Sequence, residues 1–435
     1  MNWRAFFSVL TPILLTFISG RLIQQTDILM LSSLGVAARA ALVIPTNIML
    51  LDAIFGFAMA PVISVHLGRF RDDKNLDFEV KRCLRFCASC SLILVLLGLL
   101  LYPFLVKMTA TNVEVLALAK DATFWLTLAI PGRLIQFGAA MALHGLGRGK
   151  ELIKWSLLAV TLNALLNWIL IFGFNLGFKG SYISTFAVTW LSLGWTLLLL
   201  GKSYFGFYLF NPPDWEWSRS FLKQVLAEFS RICSGQMAGF VSLFLYGLGS
   251  LAMEKLSVFG VACALENLIF VPFLATTRAS SIYLARQNNI KDPAETLKPV
   301  KLWGFALCCL IVITILVFAE PIGKNLYHLD GEALRWWKIY SIFLAFQLPV
   351  SFLNTLSKSI WQYRAKFNLV SRIDIVLCWF VLMPVLSLGS YFDNPWLTWS
   401  AYGLMTFGTW AWLRIAEFRL NQSPKTNLSA AVIAA

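Results

Sequence analysis

Charged side chains are scarce in this 435-residue chain. Asp, Glu, Lys and Arg make up 13% of it, against about 25% in a soluble domain. Histidine is scarcer still: His66, His144 and His328 are scattered, with no acid partner in a motif, so no histidine-based catalytic set is legible. There is no G-x-x-x-x-G-K-[ST] run, which excludes direct ATP coupling within the chain. The apolar runs are continuous rather than alternating, which excludes a β-barrel. The first of them continues too far for a cleavable signal peptide. Eight cysteines are present, and Cys83, Cys87 and Cys90 share a helix face, but no His or carboxylate set completes a metal site. All eight read as small buried hydrophobes.

What is abundant is apolar sequence, at 58% of residues. Runs long enough to cross a bilayer recur along the whole length, the pattern of an all-α polytopic membrane protein. Twelve spans are expected. Six fall in residues 1–201 and six in 232–420. A linker over 202–231 separates them, opened by Asn-Pro-Pro and closed by a short helix that Ser218 caps and that runs to Glu228. Residues 421–435 form a polar, then small, flexible tail. The net charge of +14 collects in alternate loops: Arg69, Arg71, Lys74, Lys81, Arg82 and Arg85 in one, Arg148, Lys150 and Lys154 in another. That bias marks the cytoplasmic side, with both termini on it, and fits anionic lipid headgroups rather than nucleic acid.

The two halves repeat. Ser64-Val-His-Leu-Gly-Arg69 matches Ser281-Ile-Tyr-Leu-Ala-Arg286 at an offset of 217, and Pro103 and Pro131 match Pro321 and Pro349 at 218. Each half has an even number of spans, so a pseudo-two-fold axis along the membrane normal should relate two six-helix bundles. Parallel repeats of this kind are a transporter architecture, with substrate bound between the halves.

One stretch stands out, Thr11 to Gly35. It is apolar enough to span, yet carries Arg21, Gln24, Gln25 and Asp27 in its second half and Pro12 in its first. A carboxylate inside a membrane costs at least about 2.5–3.5 kcal/mol and marks a functional site by default. Pro12 permits a bend about 22 Å from Asp27. Span five adds Asn163 and Asn167, four apart on one face, and span six adds Ser181 and Thr185. Carboxylate, amide and hydroxyl oxygens suit a hard cation such as Na+ at Asp27, Asn163, Asn167 and Thr185. A buried carboxylate can equally hold H+. No other cofactor is called for.

These stretches resemble the MATE (multidrug and toxic compound extrusion) transporters along essentially the whole chain. TDILMLSSLGVAA, MAPVISVHLGRFRD, HGLGRGK and NALLNWILIFGFNLGFKGSYIST carry the resemblance. It implies that Pro12 is the bending proline and Asp27 the first-span aspartate. It also implies that Asn163, Asn167, Ser181 and Thr185 form an amino-lobe cation site, with Ser181 able to offer its backbone carbonyl. A carboxyl-lobe acid pair known in one branch is missing: span seven reads QMAGFVSLFLY, and Val350 stands where the span-ten acid would be. The expected function is a secondary active exporter of small organic solutes, a monomer in the bacterial inner membrane, driven by a proton or sodium gradient. Arg21, Gln24, Gln25 and Pro12 are expected near the substrate cavity, and Arg21, Arg133 and Arg278 would suit anionic or zwitterionic solutes. The alternatives are a lipid-linked precursor flippase, whose relatives usually carry more spans, and a membrane-embedded enzyme, for which no acid–base set is found. Asp52 and Glu266 are the next coupling candidates after Asp27.

Overall fold

The structure is a computed structural model that describes residues 2–34, 38, 41, 50–70, 72–109, 113–201, 204, 209, 211, 214–287, 290 and 292–422. Gln25, Asp52 and Asn267 are described in backbone only, so the expectations attached to their side chains lie outside the described residues.

The described chain is helical throughout and divides into two compact units. The first holds Asn2–Val225 and Ala285–Asn288. Its helices are α1 (Trp3–Ser32), α2 (Leu50–Arg69), α3 (Leu76–Thr109), α4 (Val113–Leu146), α5 (Lys150–Trp168) and α6 (Gly177–Leu200). A wider, π-helical turn at Ile169–Gly173 ends α5. The second unit holds Leu226–Leu284 and the chain from Asn289 on. Its helices are most of α7 (Trp215–Tyr246), α8 (Ala252–Ala285), α9 (Pro293–Pro321), α10 (Gly331–Tyr363), α11 (Phe367–Tyr391, with a π-helical turn at Cys378–Leu382) and α12 (Pro395–Gln422). Eight of these runs are both long and apolar enough to cross a membrane. Their outer faces carry large apolar side chains, such as Leu302, Trp303, Leu307 and Leu310 on α9, as a lipid-facing helix does.

Local chemistry sets the helix ends. Asn2 accepts from Ala5 N at 3.2 Å and opens α1. Asp292 accepts from Ala294 N at 2.8 Å and opens α9, with Pro293 in the first turn where its missing N–H is harmless. Interior prolines do not end their helices. Hydroxyls one turn on donate to the prolines' own carbonyls, Thr16 to Pro12 and Thr276 to Pro272, both at 2.8 Å, while the carbonyl that each proline leaves without its backbone donor is the one four residues earlier. The continuity of α1 through Pro12 leaves the proline as a weak point in an unbroken helix.

The linker helix needs correction. The chain does not end a short helix at Glu228 and start a new span near 232. It runs one helix from Trp215 to Tyr246. Its cap is Asp214, which accepts from Glu216 N at 3.1 Å and Trp217 N at 3.3 Å, while Ser218 lies inside the helix. Nothing between Glu228 and Cys233 breaks a helix. The Glu228–Arg231 pair, three residues apart, supports it across the supposed junction.

In the second unit, a fully buried Lys255 near the start of α8 pairs with Asp393, in the turn before α12, at 2.7 Å. Lys255 also donates to the carbonyls of Leu248 and Ser390. Asp393 accepts further from Ser250 Oγ and Ser250 N, both at 2.7 Å. Burial pushes the Asp393 carboxyl up, but the bonds from Lys255, Ser250 and Leu251 outweigh it and hold the group well below the usual carboxylate range. A depressed carboxylate stabilises the fold above its unfolded pKa of about 3.9, and that contribution is lost as pH falls through the folded value. Asp393→Asn should therefore melt below the wild type at neutral pH, with the gap closing in acid. Thermal unfolding across pH checks this; a gap independent of pH would assign the loss to packing instead.

Candidate functional site

Asp27 sits on α1 one turn before Leu31, which anchors that end of the helix in an apolar cluster. Facing it, α5 presents Asn163 and Asn167, both buried. Each donates its side-chain amide to the same atom, Asp27 Oδ1, at 2.6 Å. Two of the sequence-expected residues thus converge on the third, across more than 130 positions of chain. Bonds to an ionised acceptor are roughly twice as strong as neutral ones.

The residues on α6 play a supporting part. Thr185 Oγ1 donates to the Ser181 carbonyl at 3.1 Å, one turn back, and its hydroxyl is spent there rather than on Asp27. Ser181 is buried. Ser184, which the sequence reading passed over, donates to the Asn163 carbonyl at 3.3 Å and reaches Asn163 Oδ1 at 3.5 Å. It orients the amide that faces Asp27. Asn167 Oδ1 is buried without a hydrogen-bond partner, and so is the hydroxyl of Tyr182. A serine or tyrosine inside an apolar span gives no periodic signal, so neither Ser184 nor Tyr182 was legible beforehand.

Helix packing fixes this register. Gly180 lies against the backbone of Leu170 and Ile171, where α6 begins and α5 widens into its last turn. Arg21 and Gln24 lie elsewhere on α1. Both are exposed, and Arg21 Nη1 donates to Gln24 Oε1 at 3.3 Å. Pro12 is buried near the far end of the helix.

The second unit meets its membrane charges differently. Glu228 is fully buried and accepts from Arg231 Nη2 at 2.6 Å and Gln362 Nε2 at 3.0 Å. Lys358 pairs with Asp374 at 2.7 Å, and Arg231 approaches the same carboxylate at 3.6 Å. Glu266 on α8 accepts from Tyr340 on α10 at 3.0 Å. In the first unit, His66 does have an acid partner in space: Glu79 at 2.7 Å, with Arg82 on the other carboxylate oxygen at 3.2 Å.

The MatE family model matches residues 12–169 and 233–387. The chain belongs to the MatE family. This makes it an integral membrane transporter and not an enzyme. Among curated relatives, a probable multidrug resistance protein NorM of Oceanobacillus iheyensis is 23% identical over 407 residues, 88% of both chains. A protein of the same name from Rhizobium meliloti is 25% identical over 77% of this chain and 72% of its own. Among solved structures, the MATE transporter VcmN of Vibrio cholerae in its bent form superimposes with a TM-score of 0.79 at 16% identity, covering 95% of this chain and 96% of that one. A MOP superfamily transporter of Pyrococcus furiosus, described as having a binding pocket of reversed polarity, gives 0.77 at 14% identity over 94% and 93%.

A Cβ on Gly180 would stand 2.9 Å from the Leu170 carbonyl carbon and 3.0 Å from Ile171 N, both backbone atoms that cannot turn away. Gly180→Ala should part α5 from α6, cost about 1–3 kcal/mol of stability, and draw Asn167 off Asp27. Melting temperature and ion response measured together check this, and wild-type values for both would contradict it.

Proposed function

We propose that this MatE protein is a secondary active exporter of small organic solutes, working by alternating access and powered by a proton or sodium ion that loads at Asp27. The observation that carries the reading is the pair of Asn163 and Asn167 amides on one Asp27 oxygen, inside a membrane helix. An ionised carboxylate away from water is unfavourable unless donors or a cation compensate it. Two neutral donors compensate it without fixing it. A proton can replace them, and a sodium ion can be held if the amides turn their oxygens inward, with the Ser181 carbonyl and Thr185 close by. The two ions then compete for one place. Loading changes the charge on α1 and biases that helix about Pro12, a two-state element of the kind coupling needs.

The names of the NorM relatives make drugs the first solutes to try. The exposed Arg21–Gln24 pair is the proposed substrate-facing feature of α1. Its positive charge, together with the reversed pocket polarity described for the Pyrococcus furiosus transporter, makes anionic and zwitterionic solutes the second set. Loop charges support a cytoplasmic position for both termini, and the bacterial relatives support the inner membrane. We treat the protein as a monomer in contact with lipid.

Asp27→Asn keeps size and hydrogen bonding but removes the titration. In liposomes with an imposed proton or sodium gradient it should abolish uphill export while leaving folding and most solute binding intact. Uphill export at the wild-type rate would move coupling elsewhere, with Asp52 and Glu266 next. Arg21→Ala should change which solutes are carried more than which ion drives them; an unchanged solute profile would remove Arg21 from the substrate path.

A further inference from the structure

The end of α2, the start of α3 and the opening of α7 meet in the first unit along a line of charge. Glu79 on α3 lies 2.7 Å from His66 Nε2 on α2 and accepts from Arg82 Nη1 at 3.2 Å. Arg82 Nη2 donates to Asp214, the residue that caps α7. The Arg82 guanidinium also lies 4.7 Å from the Trp217 ring. The His66 ring packs on Trp217 at 5.8 Å and on Phe221 at 5.7 Å, and those two α7 rings stack at 4.5 Å. The first turns of α7, up to Val225, belong to this unit.

Histidine is the side chain that changes charge near neutral pH, and His66 is the one histidine in the line. Its side chain is 21% exposed against 8% for Glu79, so water reaches the imidazole more readily than the carboxylate. Glu79, Arg82 and Asp214 together carry one negative charge, which a proton on His66 cancels. The Trp217 N–H, and Arg82 after it, hold the Asp214 carboxyl below the usual carboxylate range, so it stays ionised. Among the described residues, the other charged groups at these helix ends are a constant background. Asp77 and Lys81 on α3 close on each other at 2.6 Å, Arg69 on α2 and Arg85 on α3 keep their charge at any working pH, and Glu216 and Arg219 on α7 are exposed. Cys83, one turn beyond Glu79, is a buried thiol.

We propose that His66 and Glu79 form a proton-binding clasp for α7: a proton on His66 takes up the Glu79 charge, leaves Arg82 to Asp214, and seats the opening turns of α7 on α2 and α3. Without that proton Glu79 draws Arg82 away from Asp214. The bond lengths are those of the clasped form, with Glu79 closer to His66 than to Arg82. The clasped form holds the proton more tightly, so by linkage it is favoured as pH falls. On the proposed topology this end faces the cytoplasm. The clasp then responds to acid on the side from which solute is taken, through a helix that continues unbroken to Tyr246.

Hydrogen exchange on the purified full-length protein tests the clasp. After correction for the intrinsic pH dependence of exchange, protection of residues 218–225 should rise about fivefold between about pH 8 and about pH 5, as one added charge-assisted bond contributes. His66→Gln keeps a donor for Glu79 but cannot take the proton, so its protection should stay at the high-pH value throughout. Asp214→Asn keeps the helix cap and removes the charge that Arg82 holds, at an exposed position, and it too should lose the response. Wild-type protection that does not vary with pH overturns the proposal, as does a full response in His66→Gln. A full response in Asp214→Asn also overturns it, since the proton would then act without Arg82. Failure of the Asp27 reading looks different, because Asp27→Asn leaves this response in place whether or not it abolishes uphill export.

Discussion

A carboxylate placed in a membrane helix has to be answered by other groups, and here the answer is two amide hydrogens on one oxygen. Much of the first unit serves that geometry. Asn163 and Asn167 can both reach Asp27 only because they lie one turn apart on α5. The Asn163 amide keeps its orientation through Ser184 on α6. α6 comes close enough because residue 180 has no side chain. The widened turn at Ile169–Gly173 begins two residues after Asn167 and closes α5 before the crossing to α6. Turns of this type are frequent at functional sites.

One cluster of the second unit, unlike Glu266 with its Tyr340 hydroxyl, shows the other way to keep charge in a membrane protein. Its carboxylates Glu228 and Asp374 are held by Arg231 and Lys358, in a set that also takes in Gln362. Removing one member of such a set leaves a buried charge uncompensated, at about 3–5 kcal/mol. Charge paired in this way is locked. Charge answered only by neutral amides is available, because a proton or cation can take over from the amides without first breaking an ion pair. The contrast is why we propose the exchangeable site at Asp27 rather than in the more heavily charged cluster.

The sequence made part of this readable. Asp27 stood out because ionisable residues are rare in apolar runs, and Asn163 and Asn167 because their spacing places them on one face. The internal repeat was read from motifs alone. What stayed hidden was whatever depends on distance along the chain. Glu228 and Gln362 are 134 positions apart, and no local pattern predicts that they meet. Lys255 and Asp393 are 138 positions apart, and no local pattern shows that they pair or that the lysine is fully buried. The continuity of α7 was missed because Asn-Pro-Pro announces a loop, while nothing in the following residues announces that the helix will not stop. Thr185 was expected on Asp27, but a hydroxyl in a helix has a carbonyl one turn back as a nearer acceptor.

The division of the chain into units bears on the order in which the protein can be made. The first unit includes the opening turns of α7, up to Val225, and then Ala285–Asn288, sixty residues further on. Arg286 from that returning segment donates to the Gly145 carbonyl at 3.0 Å and to the carbonyl of His144, closing the end of α4. On a ribosome the six helices α1–α6 therefore emerge well before the residues that finish their bundle. The turn at Gly147 caps α4 locally, with Gly147 N on the His144 carbonyl and Arg148 N on the Leu143 carbonyl, but the added bonds from Arg286 wait until α7 and α8 have followed. Domains generally fold as units during synthesis, from the amino-terminal end. Here the amino-terminal unit is completed only after a third of the other has been translated and threaded into the bilayer, so the two repeats, alike in sequence, mature interleaved rather than one after the other.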